Sequence, residues 1–314
     1  MRRHVTSFSQ MVDGARIRIG KTTDALGTVL RADGERPGWE LDFMGVPLVV
    51  YNVRKIRELL GRLDGVELSP ELDDSAKALK DEFGESKVKV LREAVGLPNG
   101  EATELPSNSL VVPDGGNGWT CESLAEPWSL LEAMCEALKR EVNETSVSDS
   151  AEIAPTAVIS GPCIISDGVK IDDFCKVKGP AYIGPRTKVW TGSLVRESMI
   201  GPDCEIGFGC EVARTYMLGG DRTAHHDVIL DSILGENVWM GAFIGTTNKL
   251  LNNANVRYKI DDELVDTGVK HFGAVFGHDS AIGAGTVVLP GRFIPPRAII
   301  QAGTVYSGPA DVKQ

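Results

Sequence analysis

The chain has 314 residues, 42% of them apolar and 25% charged, a composition that fits a folded protein with a sizeable core. Its formal charge is −11 with no long basic run, which argues against a phosphate backbone as partner, so no nucleic acid is expected. No stretch carries the ~20 apolar residues of a membrane span, and MRRHVTSFSQMVDG lacks the apolar centre of a signal peptide, so a cytoplasmic location without a membrane partner is expected.

The first readable elements are short. Lys21-Thr22-Thr23 invites a phosphate-loop reading, but the required G-x-x-x-x-G-K-[ST] is broken by Ala15. PLVVYNVRKIRELLGRL, residues 47–63, has helical apolar spacing, with Pro47 suited to a helix start. DDSAKALKDEFG at 73–84 reads as a second helix, and KVKVL at 88–92 and NSLVVPDG at 108–115 as strands. Asp114 in the PDGG segment fits a turn better than a metal-side acid. PWSLLEAMCEALKREV at 127–142 reads as a helix with a stripe of Leu130, Leu131, Met134 and Leu138, expected to pack at the start of the repetitive region that opens near Ile153.

From Ile153 the apolar residues fall six apart: Ile153, Ile159, Ile165, Ile171, Val177, Ile183, Val189 and Val195. Neither a helix nor a simple strand has that period, whereas a coil of short parallel strands does, three hexads making one triangular turn. The beat shifts by one residue at Ile200, Ile206, Val212 and Leu218, and returns as Leu234 and Met240 and then as Phe276, Ile282, Val288, Ile294 and Ile300. Glycines after many of these residues, such as Gly184, Gly201, Gly207, Gly235 and Gly283, are expected at corners that need unusual dihedrals. Two interruptions, 219–233 and 247–271, are expected to project as loops and build a binding face. The fold class is therefore mainly β: a parallel β-helix of hexapeptide repeats at 151–314, preceded by a small α/β domain at 1–115 and a helical connector at 116–150.

The six cysteines form no C-x-x-C pair and no zinc-finger spacing, so they read as reduced core thiols. Cys204 and Cys210, six apart, are explained by the repeat.

The segments GPAYIGPRTKVW, VRESMIGPDCEIGFGCEV, HHDVILDSILGENVWMGA, TTNKLLNNANVRYKI and HFGAVFGHDSAIGAGTVVLPG carry a resemblance over roughly residues 120–307. They resemble the C-terminal half of the bifunctional sugar-1-phosphate nucleotidylyltransferase and acetyltransferase family, in text and in the order of interruptions. That resemblance implies a left-handed coil, a homotrimer, and acetyl-CoA or another acyl-CoA as cosubstrate, lying between neighbouring coils, with no metal needed for acyl transfer. It places His225 on the family's catalytic base, a suitable role for a nearly neutral imidazole. Arg196 falls on the arginine that binds substrate phosphate, Glu211 on an acidic position and Asn248 on an asparagine that holds the sugar. His226 stands where a leucine is usual, Ala213 replaces a lysine with Arg214 following it, and Val228 replaces a tyrosine. The substrate-binding set is thus Arg196, Glu211, Arg214, His226 and Asn248, with an altered acceptor pocket. The cofactor-binding set is Gly273, Ala274, Ala284 and Arg297.

In the N-terminal half, GVPLVVYNVRKI resembles the family's Gly-Lys-Pro-Leu segment, while Gly27-Thr28 and Arg31 are all that matches its Gly-rich loop. That half reads either as a shortened, inactive relative or as a different α/β module for acceptor binding or assembly. The expected function is acyl transfer from acyl-CoA to an amine or hydroxyl of a small acceptor, a sugar phosphate or nucleotide sugar. The alternatives are a noncatalytic nucleotide-sugar-binding scaffold and a nucleotidylyltransferase. A three-histidine zinc site is disfavoured because His225 and His226, adjacent in sequence, point apart. His271 and His278 read as ordinary residues, and Trp190 and Trp239 as packing or interface residues.

Overall fold

A computed structural model describes residues 6–8, 16–20, 42–60, 65–68, 73–90, 103–106, 109–113, 119–123, 126–260, 263–308 and 312–313. The N-terminal loop candidates Lys21, Thr22, Thr23, Gly27, Thr28 and Arg31, and Asp114, lie outside these residues. Two compact units meet in sequence at Glu126 and Pro127.

The first unit is α/β. Arg16–Gly20 pairs in parallel with Gly65–Leu68 on one side and Thr103–Pro106 on the other, and Val88–Val90 extends the sheet beyond Gly65–Leu68. Thr6–Phe8, Trp119–Ser123 and Ser109–Pro113 form a separate antiparallel sheet. Helix α1, Leu48–Leu60, starts directly after Pro47, and α2 spans Asp73–Phe83. Gly84 ends α2 with φ of 95°, its N–H donating to the Lys80 carbonyl at 2.8 Å, a backbone geometry that glycine adopts cheaply. Arg54 on α1 and Glu82 on α2 join the two helices through paired bonds of 2.8 and 2.7 Å.

The second unit is the coil with helix α3, Pro127–Glu141. Three parallel sheets form its faces, beginning with Ser146–Val147, Glu152–Ile153 and Val158–Ser160 respectively. Inward residues stack from coil to coil, as in Ile171 on Val189 on Ile206 along the second face, and their burial makes one continuous apolar column. Equivalent positions lie 18 residues apart in the first coils, 17 apart from Ile183 until the second interruption, and 18 apart again after it. The one-residue shift in the beat is this shortened coil.

Two sequence expectations change here. Residues 219–233 do not project: Arg222–His225 and Val228–Leu230 are ordinary strands of the second and third faces. The beat is lost because Thr223 occupies an inward position, stacked between Ile206 and Met240, and because the buried residues flanking it are Asp221 and Asp227. The second interruption does leave the coil, since Ser232 and Ala274 are coil neighbours 42 residues apart, and it carries the hairpin Arg257–Ile260 with Glu263–Asp266.

The glycines also have another reason than dihedral freedom. Gly184, Gly201, Gly207, Gly235 and Gly283 are absent from the positive-φ residues, and a Cβ on any of them would strike backbone of the adjacent coil. Left-handed corners are taken by residues such as Arg186, Asp203, Arg214, His226 and Asp231, with φ between 45° and 59°.

Helix α3 buries the expected stripe of Leu130, Leu131, Met134 and Leu138, together with Ala133 and Ala137. It lies along the coil and not only at its start. Trp128 meets Tyr258 and Phe272 edge-on at 5.7 and 6.3 Å, both residues supplied around the second interruption, while Cys135 lies within reach of the charges of Asp231 and Arg214. The aromatic cup built by the interruption anchors the helix farther along the coil than apolar periodicity alone indicated.

Candidate active site

Strand Arg222–His225 ends at the corner between the second and third faces. His226 turns that corner with φ of 56°, and Asp227 points inward. Gly209 leaves space for the His226 ring, because a Cβ there would lie 2.7 Å from Nδ1. Phe208 meets that ring edge-on at 5.1 Å and Phe243 stacks on it at 5.4 Å. Both histidines are exposed, and they differ in what they face: His226 stacks among the exposed rings of Phe208 and Phe243, whereas His225 lines an open concavity of ≈ 560 Å³.

Asp227 braces this turn. One carboxylate oxygen accepts the Ala224 amide at 3.0 Å, and the other accepts the Ile244 amide of the next coil at 2.8 Å. Burial pushes the Asp227 carboxyl up to about 7, against the two amides, which pull it down. The folded chain therefore holds this proton at pH values where the unfolded chain has lost it, so the contribution is full below about 4 and disappears as pH rises through about 7. Urea unfolding of Asp227→Asn and the parent should show the parent losing on the order of 2–4 kcal/mol relative to the variant between pH 4 and pH 8. An unchanged difference across that range would contradict the assignment.

The other proposed substrate residues lie elsewhere. Arg196, at the end of a third-face strand, donates from Nε and Nη2 to Glu211 Oε1 at 3.0 and 2.8 Å. Arg214, at the corner between the third and first faces, pairs with Asp231 through bonds of 2.6 and 2.7 Å, so its partner is Asp231 and not Glu211. Asn248 donates to the same Asp231 carboxylate. With Cys135 beside them, its thiol pushed up to about 12 by burial, Arg214, Asp231 and Asn248 form a closed bracket under α3. His225 stands at the other corner of the same face.

The cofactor candidates are not brought together either. Gly273 and Ala274 follow the second interruption into the first face, Ala284 lies at the second-to-third corner, and Arg297 at the first-to-second corner. Ala274 is buried in the coil core, and the amides of Gly273 and Ala274 donate to the Asp231 carbonyl and Ser232 Oγ. Only Ala284 shares the corner of His225. His271 is exposed, and the buried His278 accepts the Glu236 amide on Nδ1 at 2.8 Å. Among the described residues, no group of three His, Cys, Asp or Glu side chains converges as metal ligands do, and no helix is long and apolar enough to cross a membrane. The described cysteines Cys135, Cys163, Cys175, Cys204 and Cys210 are free.

No protein-family model matches the chain. It is 29% identical over 185 residues to the bifunctional protein GlmU of Methanococcus aeolicus, covering 59% of this chain and 44% of that protein. It is 24% identical over 187 residues to a bifunctional sugar-1-phosphate nucleotidylyltransferase/acetyltransferase of Sulfurisphaera tokodaii, covering 59% and 45%. The chain is related to the GlmU-like hexapeptide acyltransferases. It spans less than half the length of those two GlmU-like relatives. Among solved structures, a variant of AntD, an N-acyltransferase from Bacillus cereus in complex with dTDP and coenzyme A, matches at 18% identity over 55% of this chain and 78% of that one, with a TM-score of 0.25.

Phe208 and Arg222 carry no sequence motif, and Trp190 and Trp239 read in sequence as packing or interface residues. All four line the His225 concavity. Strand alternation carried a usable signal, because Trp190 follows inward Val189 and Trp239 precedes inward Met240, so both must face outward.

Proposed function

We propose that this chain transfers an acyl group from acyl-CoA to an amine or hydroxyl of a small acceptor of the sugar-phosphate or nucleotide-sugar class. The observation that carries the reading is His225, exposed and lining a concavity in a coil related to acyltransferases, while the equally exposed His226 stacks against Phe243 outside that lining. In this reaction the imidazole takes the acceptor's proton as its nitrogen or oxygen attacks the thioester carbonyl. The tetrahedral oxyanion is stabilised by a backbone amide and collapses with loss of the CoA thiolate, which receives the proton back from the imidazolium. A homotrimer with acyl-CoA between neighbouring coils belongs to the same reading, as does an N-terminal unit, ending at Glu126, that serves acceptor binding or assembly.

Incubating the protein with a panel of acyl-CoAs and a pool of sugar phosphates and nucleotide sugars tests this directly. Free thiol should appear in step with an acceptor whose mass has risen by one acyl group. Tight binding of a nucleotide sugar without thiol release would favour the scaffold reading instead.

A further inference from the structure

The concavity beside His225 is lined by large aromatic and charged side chains. Its floor is formed by Gly207 and Ala224, and Trp190 and Trp239 stand around it, 43% and 51% exposed. Large aromatics this exposed on a sheet face leave about half of their surface uncovered by the chain itself, and flat apolar faces of this kind bind rings by stacking.

The charge around this floor is specific. Glu205, Arg222 and Trp239 are successive outward neighbours on the second face. Lys188 occupies Glu205, Nζ to Oε1 at 3.2 Å, while Arg222 has no carboxylate partner among the described residues. The arginines at the corners differ: Arg186 is paired with Asp203 and Arg214 with Asp231. Arg196, given a phosphate-binding role by the resemblance, is held by Glu211. An unpaired guanidinium beside tryptophan faces, in a chain of net charge −11, is suited to an anion carried on a ring.

We infer that this groove seats the acceptor: its ring lies against Trp190 and Trp239, its phosphate or carboxylate binds Arg222, and its nucleophilic group faces His225. The inference rests on the acyltransferase reading and moves the anion-binding role from Arg196 to Arg222. Acyl-CoA also carries a ring and phosphates, so the donor is the competing occupant, and a second copy of the chain is the other.

Steady-state kinetics of the full chain, with the acceptor that the acyl-transfer assay identifies, separates these occupants when combined with calorimetric titration of glucosamine-1-phosphate, free glucosamine and inorganic phosphate. Arg222→Gln and Trp239→Ala should each raise the acceptor KM tenfold or more, with acyl-CoA KM and kcat within about twofold and the mass in solution unchanged. The parent should bind the ring phosphate more tightly than either of its parts, and Arg222→Gln should abolish that advantage. An unchanged acceptor KM, or no preference for the ring phosphate, overturns the inference. A raised acyl-CoA KM instead makes the groove the donor's, and a lowered mass makes it an interface between copies; either result also overturns it. Arg196→Gln is the paired comparison, and a larger rise in acceptor KM there would return the anion to Arg196. Should His225→Ala retain full turnover, the acyltransferase reading itself fails, whatever the groove variants do.

Discussion

Replacing His225 by alanine is expected to lower acyl transfer by about 10²–10⁴-fold, the usual contribution of a positioned general base. The side chain is exposed and carries no packing, so the melting temperature and the mass in solution should stay those of the parent. His226→Ala provides the contrast. Its ring, though also exposed, contacts Phe208 and Phe243, so removal should loosen the corner while leaving turnover within about tenfold. Thiol release at saturating substrates measures both. Parental turnover in the His225 variant would remove that residue from the chemistry, and a larger loss in the His226 variant would exchange the two roles.

The contrast between these adjacent histidines also indicates what a linear sequence conveys about such a coil. The stacked faces were legible because Ile171, Val189 and Ile206 occupy equivalent inward positions and must be apolar to fill a dry column. The same rule misled at residues 219–233. There Thr223 takes the inward position, while Asp221 and Asp227 meet their hydrogen-bonding needs on backbone amides, so the strands persist without the apolar beat. Helices α1, α2 and α3 stood out through their amphipathic stripes. Of the first unit's parallel sheet only Val88–Val90 stood out, within KVKVL, because Arg16–Gly20, Gly65–Leu68 and Thr103–Pro106 are too short to carry a pattern.

The site divided along similar lines. His225 is a candidate through its place in the segment resembling the acyltransferases, and the coil sets it at the lining of the concavity. The ion pairs could not, because Arg196 with Glu211 and Arg214 with Asp231 join residues 15 and 17 positions apart, and the choice of partner depends on the register of adjacent coils. The spread of Gly273, Ala284 and Arg297 over three corners has the same origin: neighbouring hexads look alike in sequence but face in different directions.

Gly207 supplies the largest expected loss of stability. It lies in the coil before His225, and its own φ is not in the left-handed region, so alanine meets no local backbone penalty there. The obstacle lies across the coil: an added Cβ would overlap the Ala224 carbonyl oxygen and crowd the Thr223 carbonyl. Those atoms belong to the neighbouring strand's backbone, and no rotamer change can move them aside. Opening the gap would break the stack where Ser193 Oγ donates to the Gly207 carbonyl at 2.6 Å and the Gly207 amide donates to Thr223 Oγ1 at 3.1 Å. Gly207→Ala should therefore cost at least about 4 kcal/mol, at the severe end of single substitutions, or leave the coil unable to form. Gly245→Ala is the matched control, because that glycine also lacks a positive φ and an added Cβ meets nothing within 4 Å. It should leave the denaturant midpoint within about 0.5 kcal/mol of the parent. Equal tolerance of both substitutions in chemical denaturation would show that the coils can separate at this level. The close approach of backbones would then not be what selects glycine beside the inward residues.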